Sequence, residues 1–276
     1  MKDAVIYKEY PPRHILMREY IRHFWILKSN SKISLNHTIL PCTNIDFVLN
    51  LSRKVILHKH CNSFTPEGFF CTGVQENFLI QTEDDFIHKI GISFKPAGAY
   101  YFLNIPLSAF HNQIIELDCF LPHFTEKVLD KLKGQPAMAD TCEMLEQVLA
   151  GYFNSNKPYS GKVMQIIYKF LSENPADIHN FCSYYGVHPR TLERIFKQYM
   201  GVSPRSCRKL RRFQKSVWHL TRDNYTDLTS LGSNTGYYDQ SHFIRDFRSF
   251  TGVHPSQFNR EKCSMKHFLH SLNDSH

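Results

Sequence analysis

Two arginines near the C-terminus occupy the same position in two stretches that repeat each other at an offset of 51 residues. Arg194 of the first stretch corresponds to Arg245 of the second, and each is followed two residues later by phenylalanine, Phe196 and Phe247. A guanidinium group can donate two hydrogen bonds to O6 and N7 of guanine. A repeat of this length is one supersecondary unit used twice. The pattern therefore indicates recognition of double-stranded DNA at two places.

The residues around Arg194 fit an amphipathic helix that begins after a tight turn. Gly186 permits the turn, and Pro189 stands at the start of the helix, where its missing N–H costs nothing. The apolar and the charged residues both recur at i, i+3, i+4 and i+7, on opposite faces. The inward set is Leu192, Ile195, Phe196 and Tyr199, and the outward set is Arg190, Glu193, Arg194 and Lys197. This combination is typical of a recognition helix.

The second copy has the same construction. Asp239 is placed to cap its helix, and Phe243, Phe247 and Phe250 point inward at i, i+4 and i+7. The outward residues are Ser241, His242, Arg245 and Arg248. A single arginine on a helix surface is usually only solvated, but two at matched repeat positions favour DNA recognition.

These faces give two sets of predicted DNA contacts. Arginine pairs with guanine and glutamate accepts from cytosine N4, so the outward residues are predicted to touch base edges. The predicted base contacts are Arg190, Glu193, Arg194, Ser241, His242 and Arg245. Other cations are predicted to touch phosphates, which fix register without reading sequence. The predicted phosphate contacts are Lys197, Arg211, Arg212 and Arg248.

A long basic helix is predicted between the two copies. It begins at Ser203 as the cap and Pro204 in the first turn, and it ends at about Thr221. Its apolar seam is Leu210, Phe213, Val217 and Leu220, and its basic residues are Arg205, Arg208, Lys209, Arg211, Arg212 and Lys215. At 1.5 Å per residue it would be roughly 27 Å long. Such a helix could hold two recognition helices about 34 Å apart, so that both enter successive major grooves.

Two shorter helices are predicted ahead of the first recognition helix. Ser160 can cap one that begins near Gly161, and Asp177 can cap the next. Their inward residues are Val163, Ile166, Ile167, Phe170 and Leu171 in the former and Ile178, Phe181 and Cys182 in the latter.

Charge is distributed unevenly along the 276 residues. The segment 158–262 holds 16 of the 33 Lys and Arg and 8 of the 25 Asp and Glu, a net charge of +8, so the remaining residues are neutral. A neutral region joined to a basic one is typical of a sensor attached to a nucleic-acid binder. The apolar content of 42% excludes a disordered scaffold.

The compartment is predicted to be the cytoplasm. No apolar segment follows the start at Met1, and no apolar run approaches the ~20 residues that a membrane-spanning helix needs. The eight cysteines show no Cys-x-x-Cys spacing, so they are interpreted as reduced thiols in core positions.

The N-terminal half has the two-residue period of β-strands. Residues 45–51 and 90–94 alternate apolar and small or polar side chains, and shorter strands are predicted at 23–28, 55–58, 69–72 and 78–81. Residues 99–103 and 107–110 are predicted to form short helical turns. Strands at this spacing favour a small sandwich or barrel.

The period changes to that of a helix at about Phe124. Apolar residues then recur at helical spacing as Met138, Cys142, Leu145, Leu149 and Tyr152. This stripe covers the N-terminal sheet in the favoured interpretation and forms a dimer contact in the alternative one. The predicted organisation is a β-rich effector or dimerisation domain (1–122), an amphipathic helical region (123–153), a linker (154–161), a double helix-turn-helix domain (162–262) and a tail (263–276).

The basic domain resembles the DNA-binding domain of AraC/XylS-type bacterial transcription regulators. The resemblance is carried by Gly236-Tyr-Tyr-Asp-Gln-Ser-His-Phe-x-Arg-x-Phe-x-x-x-x-Gly-Val-x-Pro255 and by Arg190-Thr-Leu-Glu-Arg-x-Phe196. It implies a sequence-specific transcription regulator whose partners are operator DNA, RNA polymerase, a small-molecule effector and a second copy of the chain. It implies no membrane partner, no cofactor and no enzymatic activity.

Four residues depart from the family pattern. His188 and His254 stand where the family usually has serine, which predicts a weaker cap on the first recognition helix. Gly232 and Ser233 replace an alanine and an apolar residue in the helix before the second recognition helix, and the glycine lowers helix propensity by roughly 1 kcal/mol. The second unit is therefore predicted to be softer and to read DNA less strictly.

The N-terminal half resembles, through 41–47 and 94–98, the β-rich domain found on a subset of these regulators. That resemblance implies an α+β protein with a cupin-like sheet in front of an all-α domain. Two alternatives stay open: a metal-dependent cupin-like enzyme, and a DNA-repair regulator with a methyl-accepting cysteine. The first would use His58 and His60 as metal ligands. The second sequence element of a cupin would supply a further histidine after 96–98, but Tyr100 and Tyr101 stand there. The second alternative would need metal-type cysteine spacing, which the chain lacks.

The charge distribution predicts that the fragment 158–262 binds DNA by itself. Because several phosphates would be neutralised, its affinity should fall roughly tenfold or more between 50 and 200 mM salt. Fluorescence anisotropy with a labelled duplex measures this. Binding that ignores salt, or that requires the N-terminal half, would contradict the assignment.

Overall fold

The computed structural model describes residues 5–52, 54–59, 62–103, 105–134, 138–153, 161–222 and 228–258. Strands fill the first half of this described part and helices the second half. The strands are β1 (Val5–Tyr10), β2 (Ile21–Ser29), β3 (Ile33–Ile39), β4 (Asp46–Asn50), β5 (Ile56–Lys59), β6 (Asn62–Phe64), β7 (Phe69–Thr72), β8 (Leu79–Asp85), β9 (His88–Phe94) and β10 (Ile114–Glu116). The helices are α1 (Phe124–Leu132), α2 (Met138–Ala150), α3 (Gly161–Glu173), α4 (Ile178–Tyr184), α5 (Pro189–Met200), α6 (Pro204–Arg222), α7 (Leu228–Asn234) and α8 (Gln240–Thr251).

The strands form two antiparallel sheets. The larger has the order β1-β2-β9-β4-β7-β10, and the smaller has the order β3-β8-β5-β6. In the larger sheet Phe47 lies opposite Ile92 on one side and Cys71 on the other, and all three are buried. The predicted fold class, a β-rich N-terminal region followed by a helical C-terminal region, is confirmed.

Each face of the larger sheet buries its own apolar cluster, because successive side chains of a strand point to opposite faces. One face packs against the smaller sheet through Trp25, Val48 and Phe70, which meet Val55 and Leu57. The other face carries the larger cluster, which includes α1 and α2. Phe69 of β7 and Phe124 of α1 have ring centroids 4.9 Å apart in this layer.

The predicted strands are present, and others were missed. The prediction of 69–72 matches β7, and those of 45–51 and 90–94 fall within two residues of β4 and β9. The predicted turn at 107–110 is a 3-10 helix, as is 98–101. The missed strands are β1, β3, β6 and β10, and none of them contains a buried residue.

Helix α2 covers the sheet domain, as the favoured interpretation of its stripe predicted. Cys142, Leu145 and Leu149 are buried, and α2 packs on α1 and β2. Glu146, four residues after Cys142, is buried beside this stripe, and its carboxylate accepts the backbone N–H groups of Arg13 and His14 at 2.9 and 2.8 Å. The buried stripe is therefore unavailable as a contact between two copies. The side chain of Met138 lies outside the described residues.

Predicted caps set the starts of three helices in the C-terminal half. Asp177 accepts backbone N–H groups at the start of α4, Asp239 does so at α8, and Ser203 accepts the N–H of Ser206 at α6. Each cap satisfies a donor that the first helical turn leaves without a partner. Ser160, the predicted cap of α3, and most of the predicted linker lie outside the described residues.

Close packing of Gly91 on Trp25 predicts that Gly91→Ala destabilises the sheet domain. An added Cβ would lie 2.0 Å from Cε2 of Trp25, so the indole would have to move out of its cluster. We expect a loss of about 1–3 kcal/mol in the free energy of unfolding, measured by urea denaturation. Gly134→Ala is the control, since the nearest atom to its added Cβ is the Lys131 carbonyl oxygen at 3.6 Å. Equal unfolding midpoints for the two variants would contradict the prediction.

Candidate nucleic-acid interface

The first recognition helix, α5, begins at a histidine cap. Nδ1 of His188 accepts the backbone N–H of Arg190 at 3.2 Å, and Pro189 occupies the first turn. The sequence predicted a weaker cap because serine is absent here. The structure shows that the imidazole takes the capping position, which requires an unprotonated Nδ1. His254 does the same for Ser256 at 3.3 Å after α8.

The predicted outward face of α5 is open to solvent. Arg190, Arg194 and Lys197 are exposed, and Glu193 is half-buried. Glu193 and Lys197 form an ion pair with 3.2 Å between Oε1 and Nζ. An exposed pair of this kind contributes about 0.2–1 kcal/mol, so it can readily open for another partner. On the inward face Leu192, Ile195 and Phe196 are buried as predicted.

The second recognition helix, α8, presents a matching face. Ser241, Arg245 and Arg248 are exposed, and His242 is half-exposed. The three predicted inward residues, Phe243, Phe247 and Phe250, are buried. Arg194 and Arg245 are thus both exposed at the same position of their helices. Gly232 of α7 lies against Phe243, where an added Cβ would come within 3.3 Å of the phenylalanine Cβ. The residue expected to soften this unit therefore also allows α7 and α8 to pack closely.

Helix α6 spans 19 residues, close to the predicted range, but its basic residues do not all face solvent. Arg211 is buried, and its guanidinium donates to the carbonyl oxygen of Leu171 in α3 at 3.3 Å. The prediction that Arg211 touches phosphate does not fit this burial. The last carbonyls of a helix have no partner within the helix, and the buried Arg211 meets one of them. Arg208 similarly donates to the carbonyl oxygens of Pro175 and Ala176.

Arg212 is engaged inside the second unit and does not point freely outward. Its Nη2 lies 3.6 Å from Oδ2 of Asp246, its Nη1 donates to the Gly236 carbonyl oxygen at 3.3 Å, and its guanidinium lies over the Tyr237 ring at 4.8 Å. Burial raises the pKa of the Tyr237 hydroxyl, and the nearby Asp246 adds to this shift. A phosphate contact by Arg212 would have to replace these interactions.

The sequence predictions missed Asp246, whose carboxylate lies close to three basic side chains. It is buried on α8 and lies 3.3 Å from Nζ of Lys209 and 3.5 Å from Nε2 of His242, as well as near Arg212. Its place in the sequence contained a signal, because position 246 is three residues after Phe243 and therefore on the inward face. An aspartate there needs a cation.

The sheet domain touches the C-terminal ends of both recognition helices. Nε2 of Gln198 donates to the Tyr100 hydroxyl at 2.6 Å, and the rings of Tyr100 and Tyr199 are 4.5 Å apart. Tyr199, predicted to join the inward stripe, thus meets the N-terminal domain. Burial and the neighbouring Tyr100 raise its pKa.

The glycines that end the two helices lie in the same contact. Both have the left-handed conformation, with φ of +80° at Gly201 and +76° at Gly252. An added Cβ at Gly201 would lie 2.9 Å from the Leu107 carbonyl oxygen, and one at Gly252 would lie 2.9 Å from Phe78. The repeated units therefore meet the sheet domain at matched positions.

The N-terminal histidine and cysteines have ordinary structural surroundings. His58 contacts the hydroxyls of Ser63 and Thr82 at 2.9 and 3.1 Å, while His60 and Cys61 lie outside the described residues. Within the described ranges no three His, Cys, Asp or Glu are placed to hold a metal ion. Burial raises the pKa of Cys42 and Cys142 to about 12, which disfavours a nucleophilic thiolate at either residue. No helix in the described part of the chain is long and apolar enough to cross a membrane.

Family comparisons match the two halves separately. Residues 181–261 match a helix-turn-helix domain family, and residues 8–116 match a domain family of unknown function, DUF6597. The chain is 26% identical over 158 residues to the arabinose operon regulatory protein of Escherichia coli K12, a match that covers 52% of this chain and 53% of that protein. It is 28% identical over 102 residues to the transcriptional activator RhaR of Cronobacter sakazakii, which covers 36% and 35% of the two chains. The chain thus matches about half the length of the first of these relatives.

A solved structure of ToxT from Vibrio cholerae is similar over 92% of this chain and 97% of that chain, with 13% identity and a TM-score of 0.44. The helix-turn-helix match and the curated relatives agree with the motifs that surround Arg194 and Arg245. Residues 181–261 therefore belong to a helix-turn-helix domain family, and the chain is similar to bacterial transcription regulators of the AraC type.

Proposed function

We propose that this regulator reads two successive major grooves of its operator with α5 and α8. The observation that carries the proposal is the pair of matched, exposed arginines, Arg194 and Arg245, on two helices joined by α6. At 1.5 Å per residue the 19 residues of α6 extend about 28 Å. Together with the width of the flanking helices, this length suits two sites about 34 Å apart, one turn of the duplex.

The exposed side chains of the two helices are assigned by position. We propose base contacts for the outward residues nearest the start and middle of each helix: Arg190, Glu193, Arg194, Ser241, His242 and Arg245. Lys197 and Arg248 lie further along, are exposed, and suit contacts to phosphate. Arg211 and Arg212 are left out of this set because both are engaged within the protein.

The N-terminal domain is proposed to modulate DNA binding through its contact with α5. Tyr100 and Leu107 meet Gln198, Tyr199 and Gly201, which follow the DNA-facing part of the same helix. An effector, a second copy or RNA polymerase that shifts the sheet domain would thereby act on the first recognition helix. Ligand binding or association, without catalysis, is the role we propose for this domain.

Alanine substitutions of the matched arginines test the two-groove proposal. Arg194→Ala and Arg245→Ala should each weaken binding to the specific site by about 1–3 kcal/mol, because each removes a bidentate contact to a base. Each should relax base preference at its own position, and the two positions should lie about 10 base pairs apart. We expect the smaller effect for Arg245→Ala, since Gly232 softens its unit. Binding profiles over all single base substitutions of the operator measure these effects.

Lys197→Ala is the matched control on the same face of α5. Loss of a phosphate contact should weaken binding to all sequences alike and flatten the salt dependence by about one charge. The two-groove proposal fails if both arginine variants change the same base pairs, or if neither changes sequence preference.

A further inference from the structure

Asp246 is the centre of a charge cluster that exists in only one of the two helix-turn-helix units. Its carboxylate lies within 3.3–3.6 Å of Lys209, Arg212 and His242. The residue at the matched position of the first unit is Ile195, which is buried in the apolar core. Because the first unit folds around an isoleucine, the fold of a unit does not require an acid at this position. The carboxylate is therefore available for a task specific to the second unit.

A buried carboxylate is costly unless cations or donors surround it. Here two of its partners come from α6 and one from α8, so the cluster ties the recognition helix to the connecting helix. Lys209 also lies over the Phe250 ring at 4.8 Å, and Arg212 lies over Tyr237 at the same distance. These contacts hold two cations of the basic helix against α8, with Arg212 14% exposed and Lys209 41% exposed.

The third partner, His242, stands in the DNA-facing turn of α8. Its Nε2 lies 3.5 Å from Oδ2 of Asp246, and its ring meets the Tyr237 ring edge-on with 5.3 Å between centroids. The side chain is about a third exposed. Carboxylate and tyrosine thus hold the imidazole in one orientation while part of it stays accessible.

We propose that Asp246 is a positioning residue for DNA reading, an inference that rests on the proposed function. It orients His242 for contact with a base, and it keeps Lys209 and Arg212 from the DNA backbone. The ring nitrogen that faces a carboxylate carries the proton, so in the neutral ring Nδ1 is the acceptor. An acceptor in the major groove pairs with an exocyclic amino group, which adenine presents at N6 and cytosine at N4. On the strand that His242 contacts, the site read by α8 therefore has an adenine or a cytosine at that position, and not a guanine or a thymine.

Asp246→Asn in the full chain tests the electrostatic part of the proposal. The amide keeps the shape and an acceptor but not the charge, so Lys209 and Arg212 become available to phosphates. Each additional neutralised phosphate should increase the affinity loss between 50 and 200 mM salt by about 3.5-fold. Binding to random-sequence duplex at 50 mM salt should become tighter. Glu173→Gln, which removes the same charge from an exposed site of the same domain, should leave the salt slope unchanged.

Asp246→Ile, which installs the residue of the first unit, tests the orientation of His242. It should reduce base discrimination at one position of the α8 half-site by about 5- to 150-fold, the range expected for one base contact. His242→Ala should reduce discrimination at the same position, and the double variant should lose no more than either single one. Thermal unfolding confirms that each variant is folded, and Asp246→Asn replaces the isoleucine variant in the cycle if that variant is unfolded.

Two results would overturn the inference. One is an unchanged salt slope and base profile in all Asp246 variants, with affinity lowered equally for every sequence. The other is full additivity of the His242 and Asp246 substitutions. Failure of the proposed function itself would look different, because the wild-type chain would then show no base preference at all.

Discussion

Hydrogen bonds from the arginines of α6 hold the two helix-turn-helix units together. Arg208 and Arg211 donate to carbonyl oxygens at and beyond the end of α3, and Arg212 donates to the turn before α8. Hydrogen bonds to charged groups contribute about 1.5–3 kcal/mol each, more than neutral ones. The relative placement of α5 and α8, on which the proposed reading of two grooves depends, therefore follows from side chains that a simple charge count would assign to the DNA.

This use of arginine changes how the net charge of the basic half should be understood. Lys209 and Arg212 share the single negative charge of Asp246, and Arg211 is buried, so part of the positive charge of α6 is used within the protein. The cations left at the surface include Arg190, Arg194 and Lys197 on α5 and Arg245 and Arg248 on α8. Lys162 and Lys169 of α3 and Arg205 and Lys215 of α6 are exposed as well, so the exposed positive charge extends beyond the two faces that carry the repeat.

Elements with one regular apolar face were predicted from the sequence, and they include strands β4 and β9 and helices α5 and α8. The caps at Asp177, Ser203 and Asp239 were predicted from their residue types. Where basic residues lie on several sides of a helix, as in α6, periodicity does not show which of them face solvent. For this reason Arg211 and Arg212 were predicted to contact phosphate. Asp246 was missed because the inward face of α8 was identified by its phenylalanines, and the partner cations come from a distant part of the chain. Contacts between domains, such as that of Tyr199 with Tyr100, produce no periodic pattern in the sequence.

Duplication usually frees the two copies of a unit to diverge, and Ile195 and Asp246 show that this chain has used that freedom inside its units. Gly201 and Gly252 have not diverged. Each is constrained twice, by a backbone conformation that disfavours side chains and by the surface of the sheet domain, which leaves no room for a Cβ. A substitution at either position would strain a helix end and push two domains apart in one step. Two independent constraints therefore disfavour any side chain at these two sites, and the repeat is identical where the neighbouring domain contacts it.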